Sequence, residues 1–144
     1  MSNQHFKCLE TMFHEAPINK LMQPKLKVAN GKAEITMDVN PQFFHAAQAL
    51  HGSIYFKLLD DAAFFAANSV IDDVFVVTGT FEIKFLKPIT QGKLVAIGEM
   101  TKNLGSKLEA RAKLYSENGD LYATGSGVFV KTKISLTSIE SYKI

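Results

Sequence analysis

Apolar and polar positions change their period three times along this chain, and each change marks an element. Phe6, Leu9, Met12 and Phe13 recur at intervals of three and four before Pro17 interrupts them, which predicts a short leading helix ended by the proline. From Leu26 the period falls to two: Leu26 and Val28, then Ala33, Ile35, Met37 and Val39, alternate with polar neighbours around Asn30-Gly31. An Asn-Gly pair between alternating runs predicts a β-hairpin.

After Pro41 and a loop rich in Phe and Ala, the spacing of Ile54, Leu58, Leu59, Ala62, Phe65 and Ala66 returns to three and four. It predicts a helix from His51 to Asn68, apolar nearly all round and therefore buried. Beyond Asp72-Asp73 the chain reads as four strands, Val74 to Leu86, Lys93 to Asn103, Lys107 to Ser116 and Leu121 to Lys131. Pro88 with Gly92, Gly105-Ser106 and Asn118-Gly119 separate them and supply turn geometry. Connections this short between long strands require antiparallel neighbours. The expected class is α+β: a central helix wrapped by a curved antiparallel sheet of five to six strands. Residues 1–144 are expected to form a single domain, with a helical segment over residues 1–24. A polar tail over residues 132–144 is expected to be partly frayed.

Composition narrows the functional classes. The 144 residues are 47% hydrophobic, with a net charge of +2 from 16 basic and 14 acidic residues, enough apolar content for one sizeable core. The charges are interspersed, so no basic patch points to nucleic acid. The single cysteine, Cys8, excludes an internal disulfide and a cysteine-rich zinc site and is expected to be a small buried hydrophobe. Even the run from Ala46 to Val70 is interrupted by His51, Lys57, Asp60 and Asp61, so no membrane span is expected. The N-terminus has no basic segment followed by an apolar run and a cleavage site, and a cytoplasmic location is the default expectation.

The chemistry concentrates on the second helix. Asp60 and Asp61 sit among Leu58, Leu59, Ala62, Ala63, Phe64 and Phe65, where an unpartnered carboxylate is costly. Lys57 lies four residues before Asp61 and can pair with it on one face. Asp60 has Phe56 and Phe64 at those spacings instead, surroundings that desolvate a carboxylate and make it a better base or nucleophile. At the helix start, the Gly52 N–H lies at the positive end of the macrodipole and is placed to stabilise an oxyanion.

These residues carry a resemblance. The segment ALHGSIYFKLLDDAAFFAAN, with His51-Gly52 nine and eight residues before Asp60, resembles the hotdog-fold acyl-CoA thioesterases of the phenylacetate-degradation type. The likeness runs from about Pro41 to Lys131 and includes VVTGTFEIKFLKPITQGKL, Gly105 and ATGSGVFVK. It implies hydrolysis of acyl- or aryl-CoA thioesters, with the Gly52 N–H polarising the carbonyl and Asp60 acting as general base or nucleophile, the two supplied by different subunits of a dimer. It also implies that Thr78 holds the attacking water, that His51 orients, and that His45 stands where relatives carry a carbonyl-binding amide. Ser53 replaces the second glycine of the family's pair, either narrowing the thioester site or supplying a helix-start hydroxyl.

Coenzyme A needs cations for its phosphates and an apolar tunnel for the acyl group. Lys107 and Arg111 are the candidate cations, while Phe56 and Phe64 head the candidate pocket aromatics. Neither metal nor cofactor is expected. Unpaired sheet edges predict a homodimer or a dimer of dimers. The alternative is a non-catalytic acyl-CoA or fatty-acyl binding module. A dehydratase is disfavoured because its His-Phe-Pro-Gly type of signature is missing.

Overall fold

The computed structural model describes residues 2–144. Helix α1 (Asn3–Glu15) starts where Ser2 accepts a hydrogen bond from the His5 N–H at 3.3 Å. It stops because Ala16, preceding Pro17, is held in extended conformation, and Pro17 then opens the short α2 (Pro17–Met22). The inward face of α1 is His5, Cys8, Leu9, Met12 and Phe13, so Cys8 is the expected buried hydrophobe.

Strands β1 (Lys25–Ala29) and β2 (Lys32–Asp38) form the predicted hairpin. Gly31 supplies its left-handed residue at φ 72°. Along β2, Ala33, Ile35 and Met37 are buried while alternate residues face outward. After a 3-10 turn at Pro41–Phe43 comes α3 (Gly52–Asn68), followed by β3 (Val74–Phe85), β4 (Lys93–Asn103), β5 (Lys107–Ser116) and β6 (Leu121–Ser135). The six strands make one antiparallel sheet in the order β1-β2-β4-β5-β6-β3, curved around α3. This is the α+β hotdog arrangement expected from the sequence.

The helix lies close to the sheet because small residues meet there. Ala62, Ala63, Ala66 and Ala67 are fully buried, and a Cβ at Gly98 of β4 would overlap the Ala62 carbonyl. Leu58 and Leu59 fill the space beside this contact, each stabilising the fold by about 1.5–3 kcal/mol through burial. The helix is not buried all round, however. Phe56 is exposed, and Lys57, Asp60, Asp61 and Phe64 are only half-buried. They form a stripe that the sheet does not cover.

Two features at the C-terminus correct the sequence reading. β6 runs four residues further than predicted, to Ser135, and the tail after it docks instead of fraying. Leu136 is fully buried and its N–H donates to the Asp73 carbonyl at 3.0 Å. The alternation of β6 is weak over Thr132 to Ser135, which hid the strand; a single buried leucine then carries the anchorage, and no periodicity announces that.

Candidate active site

Strand β3 crosses the open stripe of α3 in a series of contacts. Phe75 meets Phe64 with ring centroids 5.3 Å apart, Thr78 meets Asp60, Phe81 meets Phe56 edge-on at 5.3 Å, and Phe85 meets Tyr55 at 5.1 Å. A regular strand could not turn both Thr78 and Phe81 toward the helix, because residues three apart point to opposite faces. The pairing with β6 jumps from Thr78 opposite Phe129 to Thr80 opposite Val128, leaving Gly79 as an extra, bulged residue that restores the phase. Phe81 in turn lies over the bare backbone of Gly125 and Gly127, where Cβ atoms would collide with its ring.

Asp60 is held at one oxygen only. Thr78 Oγ1 donates to Asp60 Oδ1 at 2.8 Å, and among the described residues nothing donates to Oδ2. Desolvation pushes the carboxyl up to about 6, helped by the neighbouring Asp61 charge and opposed by the Thr78 hydrogen bond and the Lys57 charge. Asp61 is also raised by burial, but Lys57 Nζ sits 2.5 Å from its Oδ2 and favours its charged form. The same ammonium lies 5.5 Å from the centre of the Phe13 ring. The two adjacent aspartates therefore differ as the i−4 lysine predicts: one has a cation and the other does not.

Asp60 borders a cavity of about 510 Å³. Its floor is the Lys57 to Phe65 face of α3, one wall is Phe75, Val77 and Thr78 of β3, and the others come from the α1–α2 elbow and the tail. The lining is largely apolar, with Met12, Phe13, Phe64, Phe65, Phe75 and Ile139 among it. A carboxylate at the edge of such a space can accept a proton from a bound water, and the apolar walls suit an acyl or aryl group.

Not every sequence candidate reaches this cavity. Asp60, Thr78 and Phe64 do, whereas Phe56 lies one turn away against Phe81. His51, Gly52 and Ser53 form a separate group at the start of α3. The His51 Nδ1 caps the helix by accepting the Ser53 N–H at 3.1 Å, and Ser53 Oγ lies 2.8 Å from the same nitrogen. The Phe85 ring flanks Gly52. Eight residues of helix put Gly52 about 12 Å from Asp60 along the axis, too far for both to act on one carbonyl within a chain. His45 is exposed on a tight loop, where its Nδ1 accepts the Ala47 N–H at 3.1 Å. Arg111 pairs with Glu99 at 2.9 Å and Lys107 is exposed, both on the outer side of β5, away from α3. The elbow residues Ala16 to Asn19 and the tail residues Ile139 and Ser141 also line the cavity. Nothing in their local sequence marks them, because each arrives from a distant part of the chain.

Comparison with known proteins agrees with this architecture. A family model described as "Thioesterase superfamily" matches residues 47–123. No curated protein matches by sequence. Among solved structures, the E. coli PaaI protein from the phenylacetic acid degradation operon superposes with a TM-score of 0.84 at 20% identity, covering 93% of this chain and 97% of that one. A thioesterase family protein from Silicibacter pomeroyi gives 0.78 at 22% identity, over 86% and 97% of the two chains. A thioesterase from Haemophilus influenzae gives 0.77 at 14% identity, over 85% and 87%. Both the matched segment, which spans α3 and strands β3 to β5, and the shared fold lead to one assignment: this chain belongs to the thioesterase superfamily.

Proposed function

We propose that the protein hydrolyses acyl- or aryl-CoA thioesters, with Asp60 as the general base. The observation that carries this reading is a desolvated carboxylate, titrating at about 6 and held by a single hydroxyl, at the edge of an apolar cavity. Above that pH the carboxylate takes a proton from water as the water oxygen bonds to the thioester carbonyl carbon. The tetrahedral intermediate then expels the thiolate, which receives that proton, leaving free acid and thiol. Direct attack by Asp60 through an anhydride uses the same geometry. Thr78 positions the carboxylate by fixing Oδ1, and its oxygen retains lone pairs for the attacking water.

The oxyanion donor in this reading is the Gly52 N–H of a second copy. That N–H has no backbone acceptor within α3, as for any first helical residue, and it is too distant from Asp60 to serve within one chain. Strand β3 pairs with β6 on one side only, and its twelve-residue free edge suits pairing with an identical strand in a symmetric dimer. His51 fixes the start of the helix, and Ser53 and His45 are assigned to the entrance beside it.

Purified protein should release free thiol from a panel of acyl- and aryl-CoA thioesters, and Asp60→Asn should slow release by about 10²–10⁴-fold. Tight binding of the same thioesters without turnover by the unaltered protein would favour the binding-module alternative.

A further inference from the structure

The cavity beside Asp60 is lined in part by the far end of the chain. From Asp60, the floor runs along α3 through Phe64 and Phe65 toward the helix C-terminus. The tail contributes Ile139 and Ser141 to the same lining, and through His5 its Tyr142 is linked to the Asn68 carbonyl at that end of α3. One helical turn, about 6 Å, separates Asp60 from Phe64, and a group extending from Asp60 toward the helix C-terminus runs toward the end of α3 to which the tail is tied.

Three ties hold the tail in that place. Leu136 is buried in the core. Tyr142 reaches His5, which is itself buried. His5 Nε2 lies 2.9 Å from the Asn68 carbonyl, which only accepts, so this nitrogen donates, and Nδ1 lies 2.6 Å from the Tyr142 hydroxyl. Lys143 and Glu15 form an exposed pair at 3.9 Å, and Glu15 belongs to the cavity lining. The His5–Tyr142 contact thus joins the first helix, the end of α3 and the tail, and Ile139 lies between the Leu136 and Tyr142 anchors.

We propose that the C-terminal tail is the end wall of the acyl pocket, with Ile139 as the residue that limits acyl length and the His5–Tyr142 pair as its positioning contact. This inference rests on the thioesterase reading for its substrate. A straight-chain acyl group bonded at its carbonyl beside Asp60 runs along Phe64 and stops at Ile139. One methylene gained or refused in an apolar pocket changes discrimination by roughly tenfold or more, so a change of side chain at the wall is measurable.

The test is the chain-length profile of kcat/KM for saturated acyl-CoA substrates from four to sixteen carbons (about the span from short to long chains). Ile139→Ala should move the optimum to longer chains and raise the long-to-short ratio by about tenfold. Ile139→Phe should move it to shorter chains, and Ile139→Leu, of equal volume, should restore the unaltered profile. Tyr142→Phe should broaden the profile through KM for the longest substrates, with kcat less affected. Opposite shifts from Ala and Phe cannot come from misfolding. Unchanged profiles in these variants, with Asp60→Asn inactive, would overturn the wall while leaving the thioesterase reading intact. If the unaltered protein cleaves no thioester, calorimetric binding of non-cleavable acyl-CoA thioethers of the same lengths replaces turnover. The same shifts in the preferred length would then support the wall, and their absence would overturn it.

Discussion

Thr78 Oγ1 donates a 2.8 Å hydrogen bond to Asp60 Oδ1 across the gap between an edge strand and the central helix. It is the only hydrogen bond that Asp60 receives from the described side chains, and it opposes the burial that raises the carboxyl to about 6. Removing it should therefore raise the Asp60 pKa further. In the pH profile of kcat/KM, activity should rise with pH and level off above about 6 for the unaltered protein. Thr78→Val should shift that limb to higher pH, whereas a Thr78 role confined to packing would lower activity without moving it.

The same raised pKa has a consequence for stability. The folded state binds the Asp60 proton more tightly than the unfolded chain, so the resulting stabilisation is full below the unfolded value near 3.8 and is lost as pH rises through about 6. At neutral pH the ionised, half-buried carboxylate is a net cost. Asp60→Asn should raise the unfolding free energy at pH 7 by about 1–2 kcal/mol, a figure reduced for the solvent that still reaches the site. It should lower kcat by about 10²–10⁴-fold. Thermal melts at pH 4 and pH 7 check the sign: the gain should shrink or vanish at the lower pH.

Asp61, also raised by burial, depends on its cation. Lys57→Met leaves its carboxylate mostly buried without the ammonium 2.5 Å away, and should destabilise the fold by about 3 kcal/mol in urea unfolding. Adding Asp61→Leu to that variant should recover most of the loss, since the unpaired charge is then gone.

The proposed division of the site between two copies predicts complementation. Gly52 is the first residue of α3, where proline is compatible with a helix but has no N–H. Gly52→Pro and Asp60→Asn should each be inactive alone. Mixed, unfolded and refolded together in equal amounts, they should recover about one quarter of the unaltered activity, because half of randomly assembled dimers are mixed and each contains one intact site. A mixture as inactive as its components would place both groups in one chain's site.

Close packing of helix on sheet is tested at Gly98. A methyl group there would overlap the Ala62 backbone, and backbone cannot yield as a flexible side chain does. Gly98→Ala should cost about 3 kcal/mol or more, read as a lowered midpoint in denaturant.

Much of the architecture was legible along the chain. The Asn30-Gly31 hairpin, the helix ending at Asn68 and strands β4 and β5 lie where periodicity and turn residues place them, because those signals are local. The pairing of Lys57 with Asp61 was legible for the same reason: four residues of helix fix it. The C-terminal end of β6 was not, since its last residues alternate weakly and are held by Leu136 in a distant core.

The sequence by itself determined that a helix starting at His51-Gly52 would carry two aspartates in apolar company, and which one would lack a cation. Only the tertiary structure decided what surrounds Asp60. Thr78 reaches it because a bulge at Gly79 resets the phase of β3, and Ile139 reaches its cavity because the tail is tied to His5 near the other end of the chain. Strand register and terminal docking depend on contacts between residues far apart in sequence, so no local pattern could announce them.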